Sequence, residues 1–143
     1  VRDLVVVGAE FALRVLSKPE VMAELKNPEI LAASDLVTLT KHVLFPVRFF
    51  YTAGTGEVGM NDLAVEYFAA TITGPAAELA QRTMEWRQAP PEAGDPATLK
   101  LLEDGLLPLY RVFLDDYEPR LRDYGRADLA EDFRAWREEL LAP

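Results

Sequence analysis

The sequence predicts an all-α protein, a single bundle of about six to seven helices over residues 1–143, with segments kinked at prolines. Apolar residues recur at intervals of three and four along most of the chain, which is the period of a helix buried on one face. Prolines and glycines fall mainly between these stretches, and no convincing alternation of apolar and polar residues predicts a strand. A chain of 143 residues is long enough to bury a sizeable core as one domain.

The first two helices are predicted before residue 28. The spacing of apolar residues indicates a helix from Val5 to Leu16, which ends before Pro19 because the residue before a proline is biased away from helix. A short helix follows over residues 21–25 and is interrupted at Asn27-Pro28.

A longer helix is predicted from Ser34 or Asp35, either of which would cap its first turn, to about Tyr51. Pro46 lies inside this helix and predicts a kink. The apolar residues of its predicted buried stripe are Leu36, Leu39, Val43, Val47 and Phe50.

Gly54-Thr55-Gly56 is predicted to end that helix, because glycine adopts the left-handed C-cap conformation at little cost. Asn61 or Asp62 then predicts the N-cap of a helix that reaches about Thr71.

Pro75 suits the first position of the next predicted helix, which reaches Gln88. The segment 89–96 holds three prolines and a glycine and is the only candidate linker. Asp95-Pro96 then predicts an N-cap followed by a first-turn proline.

The remaining chain predicts two or three consecutive helical pieces bent at Pro108 and Pro119, followed by a last helix over residues 128–141. The apolar series of the bent pieces comprises Leu99, Leu102, Leu106, Tyr110, Phe113, Tyr117, Leu121 and Tyr124. The buried residues predicted for the last helix are Leu129, Phe133, Trp136 and Leu140.

The composition limits the classes of partner. A net charge of −9 disfavours a nucleic-acid binder, because phosphate backbones repel an acidic surface, whereas a cationic substrate would tolerate it. No apolar run approaches the roughly 20 residues of a membrane helix, and we expect no membrane partner. The chain has no cysteine, which fits a cytoplasmic location. It begins with Val1, and we expect it to be a segment of a longer protein.

No complete catalytic motif is present. The sole histidine, His42, lacks the neighbouring ligands of a zinc site and the nucleophile motif of a triad, so it is predicted to be a surface or satisfied core residue. The adjacent carboxylate pairs point to different sides of their helices and are poor acid–base dyads. Gly54-x-Gly56 is too short for a phosphate-binding loop and follows a helix rather than a strand.

Residues 47–64 are the most informative segment. A helix end, a glycine turn and a helix start follow one another within a few residues, which indicates a corner able to bind an anion or a hydroxyl group. The alternative is an ordinary helix–turn–helix hairpin with capped ends. The candidate cleft residues of this segment are Arg48, Tyr51, Thr52, Thr55, Asn61 and Asp62.

The same segment resembles the C-terminal helical domain of the aminoglycoside (streptomycin/spectinomycin-type) adenylyltransferases, of the nucleotidyltransferase family. The following helix is similar in kind, with Pro75 at its start and Arg82 or Arg87 within it. The family's lysine at the start of the second helix is Asn61 here, and its acidic drug-binding positions fall near Ser34 and Thr38, beside Asp35. The matching positions are Arg48, Tyr51, Thr52, Thr55, Gly56, Asp62, Ala64 and Tyr67.

The resemblance implies a helical accessory domain that closes over a nucleotidyltransferase catalytic domain in the same parent chain. Mg²⁺, ATP and a small-molecule substrate would then belong to the cleft of the full-length parent. Arg48 is expected to orient a phosphate or a partner carboxylate. One alternative is a non-enzymatic interaction or homo-oligomerisation module that displays aromatics, and another is a small-molecule sensor with a pocket between helices. The aromatics expected on the surface of the interaction module are Phe49, Phe50, Trp86 and Trp136.

Overall fold

Eight α-helices and no strand make up residues 1–143 in the computed structural model, which confirms the all-α prediction. The one helix that the sequence did not predict is the five-residue α3. None of the eight combines the length and the apolar character that crossing a bilayer requires. The helices are α1 (Arg2–Val15), α2 (Pro19–Lys26), α3 (Pro28–Ala32), α4 (Leu36–Thr55), α5 (Asn61–Thr71), α6 (Pro75–Trp86), α7 (Pro96–Asp123) and α8 (Ala127–Leu140).

A proline or a capping aspartate begins five of the eight helices. The starts at Asp35, Pro75 and Asp95-Pro96 were predicted, whereas Pro19 and Pro28 were expected only to end or interrupt helices. Asp35 caps α4, since its Oδ1 accepts from the backbone N–H of Thr38 at 2.7 Å. Asp95 caps α7 in the same way, and its Oδ2 accepts from the N–H of Thr98 at 3.2 Å and from the hydroxyl of Thr98 at 2.7 Å. These hydrogen bonds favour the charged carboxylates and hold the pKa of both aspartates below their ordinary values. The prolines in a first turn are Pro19, Pro28, Pro75 and Pro96.

The predicted division of α7 at Pro108 and Pro119 is wrong, because α7 is one helix of 28 residues. A proline removes the N–H that would reach the carbonyl four residues earlier, here those of Asp104 and Asp115. Both prolines and both aspartates are exposed. Water can therefore take the place of the missing donors, and the helix continues.

Pro46 in α4 also leaves a carbonyl without its helical donor, but here the proline is buried. The carbonyl left without an intrahelical donor is that of His42, and the hydroxyl of Tyr110 in α7 donates to it at 2.6 Å. Burial raises the pKa of Tyr110, so the phenol stays neutral and keeps its proton. A side chain of the neighbouring helix thus replaces the donor that Pro46 removes.

A second tyrosine repeats this contact one heptad along. The hydroxyl of Tyr117 donates to the carbonyl of Phe49 at 2.8 Å. The two pairs have the same sequence separation of 68 residues, so α4 and α7 run parallel where they touch.

The core is built around α7, which packs against α1, α2, α3, α4, α6 and α8. Gly105 allows the close approach of α6, since a Cβ there would lie 2.6 Å from the carbonyl oxygen of Pro75. The predicted linker, residues 89–96, falls in the loop of residues 87–95 except for Pro96, which begins α7, and the two helices that it joins, α6 and α7, pack against each other. The predicted stripes of α4 and α8 are buried, apart from the partly buried Leu36. The rings around Phe113, at centroid distances of 4.7 to 6.1 Å, belong to Tyr117, Phe133, Phe49 and Trp136.

We predict that Tyr110→Phe destabilises the protein more than Tyr117→Phe does. The first change leaves the carbonyl of His42 without a hydrogen-bond donor and should lower the free energy of unfolding by about 1 to 3 kcal/mol. The second should cost about 0.5 to 1.5 kcal/mol, because the N–H of Ala53 remains as the helical donor for Phe49. Urea unfolding followed by circular dichroism measures both.

The Pro46→Ala background provides the control. Alanine restores the N–H that reaches the carbonyl of His42, so Tyr110→Phe should cost less in that background than in the wild type. An equal cost in the two backgrounds would contradict a role of Tyr110 in replacing the missing donor.

Candidate functional site

The corner between α4 and α5 differs from the predicted one at the end of α4. The helix continues to Thr55, about four residues beyond its predicted end at Tyr51, and Gly54 lies inside it. Gly56 is the C-cap, with φ of 78° in the left-handed region and its N–H donating to the carbonyl of Thr52 at 2.8 Å. The glycine stop was therefore correctly predicted for Gly56 alone.

The start of α5 also differs from the prediction. The residue at the N-cap position is Met60, with no side-chain cap, whereas Asn61 and Asp62 are the first two helical residues. The prediction of Asn61 or Asp62 as the cap is wrong by one or two residues. As a consequence, no side chain caps the first N–H groups of α5.

Tyr51 and Thr55 serve the packing of this corner. Tyr51 is buried, its ring meets Tyr67 edge to face at 5.6 Å, and its hydroxyl lies 3.4 Å from Oε2 of Glu57. Thr55 donates its hydroxyl to the carbonyl of Tyr51 at 2.8 Å and accepts from the N–H of Glu57 at 3.2 Å. Neither side chain lines a groove with Arg48.

Arg48 is the central residue of the corner. Two adjoining grooves of about 320 Å³ each share Arg48, Asn61 and Arg87, and we call them together the cationic groove. Three of the predicted site residues thus come together, since Asp62 lines the second part beside Arg48 and Asn61. The other residues of the cationic groove are Leu36, Val37, Thr40, Lys41, Leu44 and Phe45 in the first part, and Met60 and Met84 in the second.

The cations of the cationic groove have no ion-pair partner, although Asp35 is near enough to Lys41 for the two charges to attract each other. Lys41, Arg48 and Arg87 form no ion pair, although most other arginines of the chain do. Asp62 is the one carboxylate in the lining and lies beyond ion-pair distance of them. The side-chain oxygen of Asn61 is buried and has no hydrogen-bond partner. The groove is therefore a local concentration of positive charge in a chain of net charge −9.

A third cavity, of about 310 Å³, lies on the other side of Arg48, between α1, α4 and the loop before α5. Of the predicted site residues, Arg48 and Thr52 line it. We call it the phenylalanine groove after its three aromatic residues. The remaining lining residues are Leu4, Val7, Gly8, Phe11, Phe45, Phe49, Val58 and Gly59.

Lys41 and the α1 residues of these grooves were not predicted. Lys41, Phe45, Arg48 and Thr52 follow one another at intervals of four, three and four, and this spacing alone places them on one face of α4. The signal was therefore present in the sequence for Lys41. The α1 residues reach the site only through tertiary packing, which no local spacing encodes.

His42 lies outside these grooves, on the side of α4 that faces α2 and α7. Its side chain is 12% exposed, and its Nδ1 lies 3.1 Å from Oε2 of Glu24, in a contact without hydrogen-bond directionality. Burial lowers the pKa of His42 although Glu24 opposes the shift. No three histidine, aspartate or glutamate side chains lie together as a metal-binding group.

No family model, curated protein or solved structure matches this chain. The resemblance of residues 47–64 to the adenylyltransferase helical domain accordingly stays a prediction.

We predict that His42 makes the protein less stable toward acid. The pKa of His42 in the folded state lies below its ordinary value of 6.5, so the unfolded chain takes up the proton first. Stability should therefore fall as the pH decreases through about 6.5. His42→Gln should lose less stability than the wild type between about pH 7 and pH 5, measured as the shift in Tm. Parallel Tm profiles would contradict the lowered pKa.

Proposed function

We propose that this chain is the helical accessory domain of a nucleotidyltransferase-like protein and that it holds the phosphates of a nucleotide in the cleft facing a catalytic domain. The observation that carries the proposal is the cationic groove, in which Lys41, Arg48 and Arg87 lack ion-pair partners. Cations without partners in a concave surface favour an anionic ligand.

The start of α5 supports the same assignment. Its first N–H groups have no side-chain cap, and Asn61 in its first turn lines both parts of the groove. Helix N-termini attract phosphate through free N–H groups and the helix dipole. Arg48 and Arg87 would add charge-assisted hydrogen bonds, which are shorter and stronger than neutral ones.

The acidic surroundings disfavour the binding of anions outside the groove. A net charge of −9 repels phosphates at a distance, so a favourable site needs several cations close together, as in the groove. Asp62 is a single carboxylate there, and the ligands of Mg²⁺ would come mainly from the catalytic domain and the phosphates.

Polyphosphate binding tests the proposal directly. We expect tripolyphosphate and ATP to release heat on titration into the wild-type chain, with an affinity that falls with added salt because the contacts are ionic. Arg48→Ala and Arg87→Ala should each weaken binding by about tenfold or more, since each removes charged hydrogen bonds.

Arg111→Ala is the matched control, because Arg111 is exposed on α7, is in no ion pair and lines none of these grooves. If Arg111→Ala weakens binding as much as Arg48→Ala does, the affinity depends on the net charge of the chain and not on the groove, and the proposal fails. The domain assignment has its own test. Blotting of source cells with an antibody to this chain should detect a native product well above the mass of the chain, and that product should bind Mg-ATP.

A second candidate function, an interaction or homo-oligomerisation module, is favoured by exposed aliphatic residues near the same corner. The expectation of exposed aromatics fails for three of the four residues, because Trp86, Trp136 and Phe50 are buried and Phe49 is partly buried. Val58 and Met60 in the α4–α5 loop are instead 72% and 74% exposed. Exposed apolar patches mark contact surfaces.

Sedimentation equilibrium distinguishes this second function. If the exposed loop drives self-association, the weight-average mass should rise with concentration, and Val58→Lys should abolish the rise. Ile30→Lys, at an exposed aliphatic position on α3, is the control and should leave the rise intact. A mass that is constant at all concentrations contradicts homo-oligomerisation.

A further inference from the structure

The phenylalanine groove is lined by side chains that suit a flat apolar ligand. Phe11, Phe45 and Phe49 form a contiguous aromatic wall with ring centroids 5.4 to 6.3 Å apart. Phe11 meets the other two rings edge to face, while Phe45 and Phe49 are stacked at an angle of 28°. A ligand ring placed against this wall would find both ring faces and ring edges, the two arrangements that aromatic pairs prefer.

The groove has one polar end. Arg48 and Thr52, one turn apart on α4, are its only polar side chains. Arg48 has no ion-pair partner, and the hydroxyl of Thr52 makes no hydrogen bond to another group of the protein. Small-molecule sites commonly combine a largely apolar lining with a few polar groups that fix the orientation of the ligand.

The dimensions limit the ligand. A volume of about 310 Å³ is at the lower end for small-molecule sites, which suits one ring with a short chain. The mouth is bordered by Leu4, Val7 and Val58, all of which are exposed, and Val7 and Val58 are 64% and 72% exposed. A bound apolar body would remove part of this aliphatic rim from water, which favours binding.

We propose that the phenylalanine groove binds a small aromatic carboxylate, with the ring against Phe11, Phe45 and Phe49 and the carboxylate on Arg48 and Thr52. One guanidinium matches a singly charged carboxylate through two parallel hydrogen bonds. A polyphosphate would prefer the cationic groove, where Lys41 and Arg87 add to Arg48. Both proposals use Arg48, but this inference does not rest on the proposed function, because Phe11 and Phe49 line the phenylalanine groove alone.

Amide NMR spectra of the complete chain, titrated with phenylpropionate and with phenylpropanol, test the inference. The acid should saturate a site whose shifted signals belong to α1, α4 and the α4–α5 loop. The alcohol has the same ring and lacks the charge, so it should bind about tenfold more weakly, since a charged hydrogen bond is missing. Equal affinities for acid and alcohol would overturn the role of Arg48.

Two variants test the two ends of the groove. Arg48→Met removes the charge and should reduce the affinity for phenylpropionate to that for phenylpropanol. Val7→Glu places a carboxylate at the exposed rim and should weaken the acid more than the alcohol. Circular dichroism confirms the fold of each variant, and Val7 is on the surface of α1, where a polar residue is tolerated.

Ile30→Glu is the matched control for Val7→Glu, since Ile30 is also an exposed aliphatic residue, 49% exposed, but lies on α3 away from the groove. It should leave binding of phenylpropionate unchanged, and an equal loss would overturn the inference. Arg87→Ala separates the two proposals, because it should weaken tripolyphosphate while phenylpropionate still binds. Signal changes that depend on protein concentration and not on the acid would instead identify a second copy of the chain as the occupant and overturn the inference.

Discussion

The carbonyl oxygen of His42 lies in the core without a donor from its own helix, because Pro46 has no N–H to offer it. Tyr110 supplies the donor from α7, and Tyr117 adds a second contact at the same separation. These two bonds fix α7 against one side of α4. Arg48 precedes the bonded Phe49 by one residue and lies beside α1 on one side and the start of α5 on the other. The bonds that fix α4 against α7 thereby also position Arg48 and Phe49, which line the grooves of the corner.

Most of the fold was predictable from the sequence, since the apolar spacing of α4 and α8 and the caps at Asp35 and Asp95 are local signals. The prolines show where local rules stop. A proline always removes one donor, but whether the helix breaks depends on what surrounds the carbonyl left behind. At Pro108 water is available, and at Pro46 a tyrosine is. That surrounding is set by tertiary packing, so the sequence alone divided α7 into pieces where the structure has one continuous helix.

The site was predictable in part, for a related reason. Arg48, Asn61 and Asp62 meet in one groove, as their positions around a helix corner suggested. Tyr51 and Thr55 do not join them. Because α4 continues to Thr55, both residues lie in its last turns, where their side chains pack within the corner. Arg87 reaches the groove from the end of α6, which no local spacing relates to α4. The net charge of the chain did not indicate the site either, because a total of −9 does not show that three cations lie together at one corner.

The separation of 68 residues between the bonded positions of α4 and α7 has a consequence for the order of folding. Contacts between consecutive helices, such as α5 with α6 and α7 with α8, close short loops and lose little chain entropy. The contact of α4 with α7 encloses two whole helices, and it becomes less costly once those helices have already collapsed on their neighbours. The buried carbonyl of His42 then remains hydrated until late in folding. Arrival of the tyrosines would be the step at which a loose assembly of helical hairpins becomes a fixed structure.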